Sequence, residues 1–222
     1  MKRIILFFSM CLLFVSVVAQ DITGVTAVSV VDFLNSLGAV SSVSRRVETV
    51  EGSIECIRYT GLRWLRGGFE DNAPVEDFIR LYKETGTQMG YGFLSGKSDL
   101  DRLLNDARQL AEANALLAME GLNEPNNWGI TYQGEQGGGK SDSWMAVARL
   151  QRDLYSAVKS DPVLKNYLET LPHVTTETGF AISGKDGVTE EIQARLYLNL
   201  YLSQFKQGWK HTAIYLLDIN YV

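Results

Sequence analysis

Strand-like and helix-like segments alternate along this chain from Phe33 to Leu217, and that alternation narrows the fold more than any other feature. Phe33–Val43, Leu62–Arg66, Gln88–Leu94, Ala115–Gly121, Val174–Thr178 and Thr212–Leu217 read as short apolar or β-branched strands. Between them, Glu48–Thr60, Pro74–Thr85, Ser98–Asn114, Ser141–Ser160 and Thr189–Gly208 carry apolar residues at helical spacing. Gly61 and Gly86 stand where two of these helices should end, Pro74 opens one, and Ser98 with Asp101 fits a capped start of another. A helix between two strands returns the chain to the same end of the sheet, so the strands run parallel and the fold class is α/β.

Composition agrees with a packed core. The 222 residues are 45% hydrophobic and 21% charged, with 20 Gly and 4 Pro, which excludes a disordered or collagen-like chain. A formal charge of −5 without a basic stripe argues against nucleic acid or an anionic membrane as a partner, because phosphate contact needs clustered Lys and Arg. Residues 1–19 read as a secretory signal peptide: Lys2 and Arg3, an apolar run from Ile4, then small residues ending at Ala19. Residues 20–222 then form one secreted domain, extracellular or periplasmic, free of the membrane after cleavage and expected to be a monomer. Cleavage removes Cys11 and leaves Cys56, spaced as a core residue beside Ile54 and Ile57. His173 and His211, with no cysteine cluster, make no metal site, and no cofactor is expected.

In parallel α/β folds the loops leaving the carboxyl ends of strands build the site. Those ends carry Arg66, Leu94, Asn123-Glu124, Glu177 and Asp218. Two are glutamates at strand termini. Glu124 precedes Pro125, which favours an extended backbone there, and Glu177 stands among Thr175, Thr176 and Thr178 before Gly179. A carboxyl at the end of an apolar strand is unfavourable without a partner, so two at one end of a sheet suggest an acid/base or acid/nucleophile pair. Strand-end glutamates also cap helices or meet surface lysines, and spacing alone leaves that reading open.

The run Gly121-Leu122-Asn123-Glu124-Pro125-Asn126 resembles the motif after strand 4 in the large (β/α)8 superfamily of retaining glycoside hydrolases often called clan A. Thr176-Glu177-Thr178-Gly179 is similar to the second site of that superfamily, at the end of strand 7. The resemblance implies a TIM-barrel-like (β/α)8 fold, with Glu124 as general acid/base and Glu177 as nucleophile. It implies that Arg66 supports the nucleophile's charge and that Asn123 binds the sugar hydroxyl beside the scissile bond. The implied partner is an oligo- or polysaccharide, its sugar faces stacked on Trp128, Tyr132 and Tyr215. Trp64, Trp144 and Trp209 are expected to serve packing. Retaining hydrolysis needs one carboxyl protonated and the other ionised, about 5–5.5 Å apart.

A complete barrel needs eight βα units, and only about six are visible. Between Glu124 and Glu177 there is room for a loop and one helix, where two more strands and two more helices belong, and no helix is legible after the last strand. The barrel is therefore expected to be incomplete, lacking units 5 and 6 and a final helix, with weak or absent hydrolase activity. A non-catalytic carbohydrate-binding protein on the same scaffold is the alternative. A third possibility comes from Gly134–Ser141, which satisfies the phosphate-loop pattern G-x-x-x-x-G-K-[S/T] of nucleotide-binding proteins. Glu135 within it, and export away from ATP, mark a chance match in a glycine-rich loop.

Overall fold

The computed structural model describes residues 28–43, 48–69, 73–168, 174–182, 184 and 187–215. The expected signal peptide, His173, the end of the last strand (216–217) and Asp218 lie outside the described residues. The elements in chain order are α1 (Val30–Ser36), β1 (Leu37–Val40), α2 (Val50–Thr60), β2 (Trp64–Phe69), α3 (Val75–Thr85) and β3 (Gln88–Phe93). Then come α4 (Leu100–Glu112), β4 (Leu116–Leu122), a hairpin of β5 (Ile130–Tyr132) and β6 (Glu135–Gly137), and α5 (Met145–Ser160). A 3-10 turn (Lys165–Leu168), β7 (Val174–Thr178), α6 (Glu190–Lys206) and β8 (His211–Ile214) follow.

Six strands form one all-parallel sheet in the order β4-β3-β2-β1-β8-β7. The sheet curls into a half-barrel, with β4 and β7 as its two edges. Among the described residues between those edges there are the hairpin, α5 and the 3-10 turn, but no strand that joins the sheet.

Alternation along the strands sorts side chains to the two faces. Leu65, Phe69, Met89, Tyr91 and Phe93 point outward and join Phe78 and Leu81 of α3 and Leu103 and Leu110 of α4 in the main core. The concave face holds a much smaller cluster: Trp64, Val40 and Ala213, with Leu117 packed against them. Gly38, paired with Trp64 across β1 and β2, makes room for the indole, whose ring lies where a Cβ would sit. The Trp64 ring N–H donates to the Ser36 carbonyl at 3.2 Å.

Most helix ends follow from local chemistry. Thr49 and Thr189 cap α2 and α6 with their hydroxyls, and Gly61 and Gly86 close α2 and α3 in the left-handed region that favours glycine. Three expectations are corrected. Residues 33–43 are not one strand: Ser29 accepts from the Asp32 N–H and starts α1, so the strand begins only at Leu37. Asp99, not Ser98, caps α4, because its carboxylate reaches the Arg102 N–H at 3.0 Å while Ser98 donates to the Thr131 carbonyl. Helix α5 begins at Met145 rather than Ser141, after Trp144.

His211, at the amino end of β8, lies away from the strand ends that carry the carboxylates. Its ring stands edge-on to Trp64, with centroids 5.4 Å apart, and its Nδ1 is buried with no hydrogen-bond partner. Burial holds its pKa below 6.5 despite a hydrogen bond with the Asn35 backbone. A lowered folded-state value favours the neutral ring, so this stabilisation is complete above the unfolded pKa of about 6.5 and is lost as pH falls through the folded value. Urea denaturation at about pH 7.5 and about pH 5 is expected to show wild type losing more stability on acidification than His211→Phe. Equal losses in the two proteins would refute this role for the ring.

Candidate active site

Arg66 lies two residues beyond Trp64 on β2 and so shares the concave face, directly above the small inner cluster. Its side chain is only 4% exposed, which makes the charge tolerable only with partners. Nε donates to Glu120 Oε2 at 2.7 Å and Nη2 to Glu120 Oε1 at 3.1 Å, a bidentate fork. Nη1 donates to Glu177 Oε2 at 2.8 Å, and Nη2 also donates to Asn123 Oδ1 at 2.7 Å. Burial opposes the guanidinium charge, but the hydrogen bonds and charges of Glu120 and Glu177 outweigh it and raise the Arg66 pKa above its ordinary value. Asn123 is fixed from its other side by Nδ2 donating to Ser95 Oγ at 3.2 Å.

Strand irregularity puts these groups at the rim. Between β3 and β4 the register slips twice, the second time between the Gly92–Glu120 and Phe93–Leu122 pairs. Between β7 and β8 it slips between Thr175 and Thr178, across the segment that carries Glu177. A bulge re-aims side chains at a strand end, and here one stands beside each of the two acidic strand ends. Glycines let the backbones close underneath. A Cβ on Gly68 would stand 2.0 Å from the Gly92 carbonyl oxygen, and one on Gly92 would stand 2.7 Å from the Glu120 Cβ.

The turn after β4 holds Glu124 in a backbone conformation that sequence did not anticipate. Its φ is 42°, in the left-handed region, rather than the extended value expected before proline. Such a residue is strained and persists only when its surroundings over-determine it. The Asn127 and Trp128 N–H groups donate to the Glu124 carbonyl at 2.8 and 2.9 Å, and Asn127 Nδ2 donates to Glu124 Oε2 at 3.2 Å. From outside, the Gly139 N–H donates to the Pro125 carbonyl at 2.8 Å. A Cβ on Gly138 would stand 2.2 Å from that oxygen, so the triple glycine lets the loop after the hairpin lie flat on the Glu124-Pro125 turn.

A pocket of about 310 Å³ opens at this rim, lined by Arg66, Glu120, Leu122, Asn123, Glu124, Thr176 and Glu177. It therefore unites Arg66, Asn123, Glu124 and Glu177, which the sequence singled out. Trp128, Tyr132 and Tyr215 are not among its lining residues. Trp128 is half-exposed on the adjoining turn. Tyr132 belongs to the hairpin, where its hydroxyl donates to Asp153 of α5 at 3.0 Å, so packing of the hairpin on α5 takes it from the pocket. Tyr215 is partly exposed beyond β8, and its carbonyl accepts from the Tyr197 hydroxyl at 2.9 Å. Trp64 is packed as expected, whereas Trp144 is half-exposed at the start of α5 and is not a core residue.

Glu120 is the site residue that sequence reasoning missed. Its signal was available: a carboxyl at an inward-facing position of an otherwise apolar strand, the criterion that drew attention to Glu177. The phosphate-loop resemblance finds no geometric counterpart. The loop follows an antiparallel hairpin, and the N–H groups of Gly138 and Gly139 are committed to the Ser143 and Pro125 carbonyls rather than turned toward a ligand. Glu135 pairs with Arg149 at 2.8 Å. Among the described residues no cluster of His, Cys, Asp and Glu could hold a metal ion, and no helix is long and apolar enough to cross a membrane. No model of a known protein family matches the chain, and no curated protein sequence matches it.

Proposed function

We propose that this chain is a secreted protein of the retaining glycoside hydrolase type, built on the (β/α)8 plan without units 5 and 6. In this reading Glu177 is the nucleophile, Glu124 the acid/base, and Arg66 and Asn123 orient the site. The observation that carries it is the single pocket lined by Glu124 and Glu177, which come from strands at opposite edges of the curled sheet, with Arg66 bonded to Glu177 at 2.8 Å. The strand order also favours it: β4 and β7 are the neighbours that two further strands would join.

The chemistry is a double displacement. Glu177 attacks the anomeric carbon as the glycosidic C–O bond breaks, and the Glu124 proton passes to the leaving oxygen. Glu124 then takes a proton from water, whose oxygen attacks the same carbon and releases Glu177. The hydrogen bond from Arg66 Nη1 holds one oxygen of Glu177 and so orients the carboxylate for attack.

Turnover by this chain is expected to be slow, because the Glu177 side chain is 33% exposed and Glu124 is exposed, whereas charge development is best stabilised where water is excluded. The same exposure favours a second reading, a carbohydrate-binding protein without turnover. A panel of 4-nitrophenyl glycosides, with retention of the chain on immobilised polysaccharides, separates the two. The first reading expects slow release of nitrophenol, abolished in Glu177→Ala with retention unchanged. Retention without any turnover supports the second. Neither turnover nor retention overturns both.

A further inference from the structure

Arg66 contacts two carboxylates, and the two contacts are unequal. Glu120 takes the Nε–Nη2 edge of the guanidinium in a bidentate fork, at 2.7 and 3.1 Å. Glu177 receives one hydrogen bond, at 2.8 Å from Nη1. A planar guanidinium held along one edge has no torsional freedom left, so the fork with Glu120 also fixes where Nη1 points. The same plane delivers the second Nη2 hydrogen to Asn123. Glu120 is the less exposed of the two carboxylates, at 24% against 33%, and sits mid-strand, opposite Gly92 in the β3–β4 register. Glu177 likewise lies on an edge strand beside a register slip, so the two differ in their hydrogen bonding to Arg66 and in exposure rather than in their place in the sheet.

We infer that Glu120 is a positioning residue: it clamps Arg66 so that one N–H meets Glu177 and another holds Asn123, without itself taking part in bond making. The inference rests on the glycosidase reading for its purpose, though not for its geometry. Glu120 also supplies the main countercharge for Arg66, so that the guanidinium offers Glu177 a directed hydrogen bond while leaving that carboxylate free to attack. The dependence is one-way. Glu120 orders Arg66 whether or not Glu177 is present, and Glu177 does not order Arg66 without Glu120.

Nitrogen-15 NMR of the arginine side chains in the full chain tests this without requiring turnover. Wild type is expected to show an Arg66 Nε–H resonance protected from solvent exchange, assigned by its absence in Arg66→Lys. Glu177→Gln should keep that resonance and its protection. Glu120→Gln should lose the protection by at least about tenfold, as expected when a structured hydrogen bond gives way to solvent. Because Glu120→Ala could fail to fold, the glutamine variant is the primary one, with far-UV circular dichroism as the check. Should the wild type turn over an aryl glycoside, Glu120→Gln should lower kcat by about tenfold to a hundredfold with KM little changed, the pattern of a lost supporting contact. Protection retained in Glu120→Gln, or lost equally in Glu177→Gln, overturns the clamp. Absence of turnover in every protein bears on the glycosidase reading and leaves the exchange result to decide the clamp.

Discussion

Arg66→Met is expected to lower the melting temperature by roughly 5–15 °C and, under the proposed function, to remove any retention on polysaccharide and any turnover. Removing one partner of a buried ion pair costs about 3–5 kcal/mol when the remaining charge is fully enclosed. Here Glu120 and Glu177 keep some contact with water, at 24% and 33% exposure, so about 2–4 kcal/mol is the appropriate range. For a chain of this size each kcal/mol moves the midpoint by about 2–4 °C. Without the cation, two carboxylates share one rim and Asn123 loses the donor to its carbonyl oxygen. Arg66→Lys retains the charge but not the planar fork, and should fall between wild type and the methionine variant. A methionine variant that melts within a degree or two of wild type would show that the Arg66 ion pairs with Glu120 and Glu177 contribute nothing to the fold.

The second large effect is expected at Gly68. The new methyl group of Gly68→Ala would stand 2.0 Å from the Gly92 carbonyl oxygen, a backbone atom that cannot rotate away. Strands β2 and β3 would have to part at their carboxyl ends, where Gly68 and Gly92 pair, and the disturbance would pass through Gly92 to Glu120. Overpacking of this kind costs about 3 kcal/mol or more when backbone must yield. Gly61→Ala is the matched control. Nothing lies within 4 Å of a Cβ there, and only the left-handed φ of 73° opposes the change, at about 1 kcal/mol. Thermal melts of the two variants should differ by several degrees in that order, and equal melting would contradict the close approach.

Periodicity carried the parallel architecture because α3, α4 and α5 each bury an apolar face and β2 and β3 are almost wholly buried, which leaves long unambiguous runs in the sequence, whereas α6 buries no residue. It failed where runs were short. Val30–Ser36 has the apolar density of a strand, and only Ser29 bonding to the Asp32 N–H makes it helical. The hairpin was hidden in a glycine-rich stretch, although Gln133 and Gly134 both have positive φ, the conformation a tight two-residue turn demands. At the site, Glu124 and Glu177 were legible because strand ends are where a carboxyl stands out. Glu120 was missed because it stands within β4 rather than at a strand end, although a carboxyl in an otherwise apolar strand was itself a signal. Its pairing with Arg66, 54 positions away, comes only from the register of β2, β3 and β4. Tyr132 was misplaced for a related reason: a hairpin that sequence did not show carries it onto α5.

The pairing of β1 with β8 has a consequence for how the molecule assembles. Leu37 and Gly38 lie in register with Thr212 and Ala213, so the sheet joins residues from nearly opposite ends of the described chain. Strands β1 to β4 can zip together one neighbour at a time as they leave the ribosome, each closing a modest loop. The other half must wait for β8, because β7 has no partner in the sheet except β8. Closing so long a loop is entropically slow, and until it closes β1 presents a bare edge to other nascent chains.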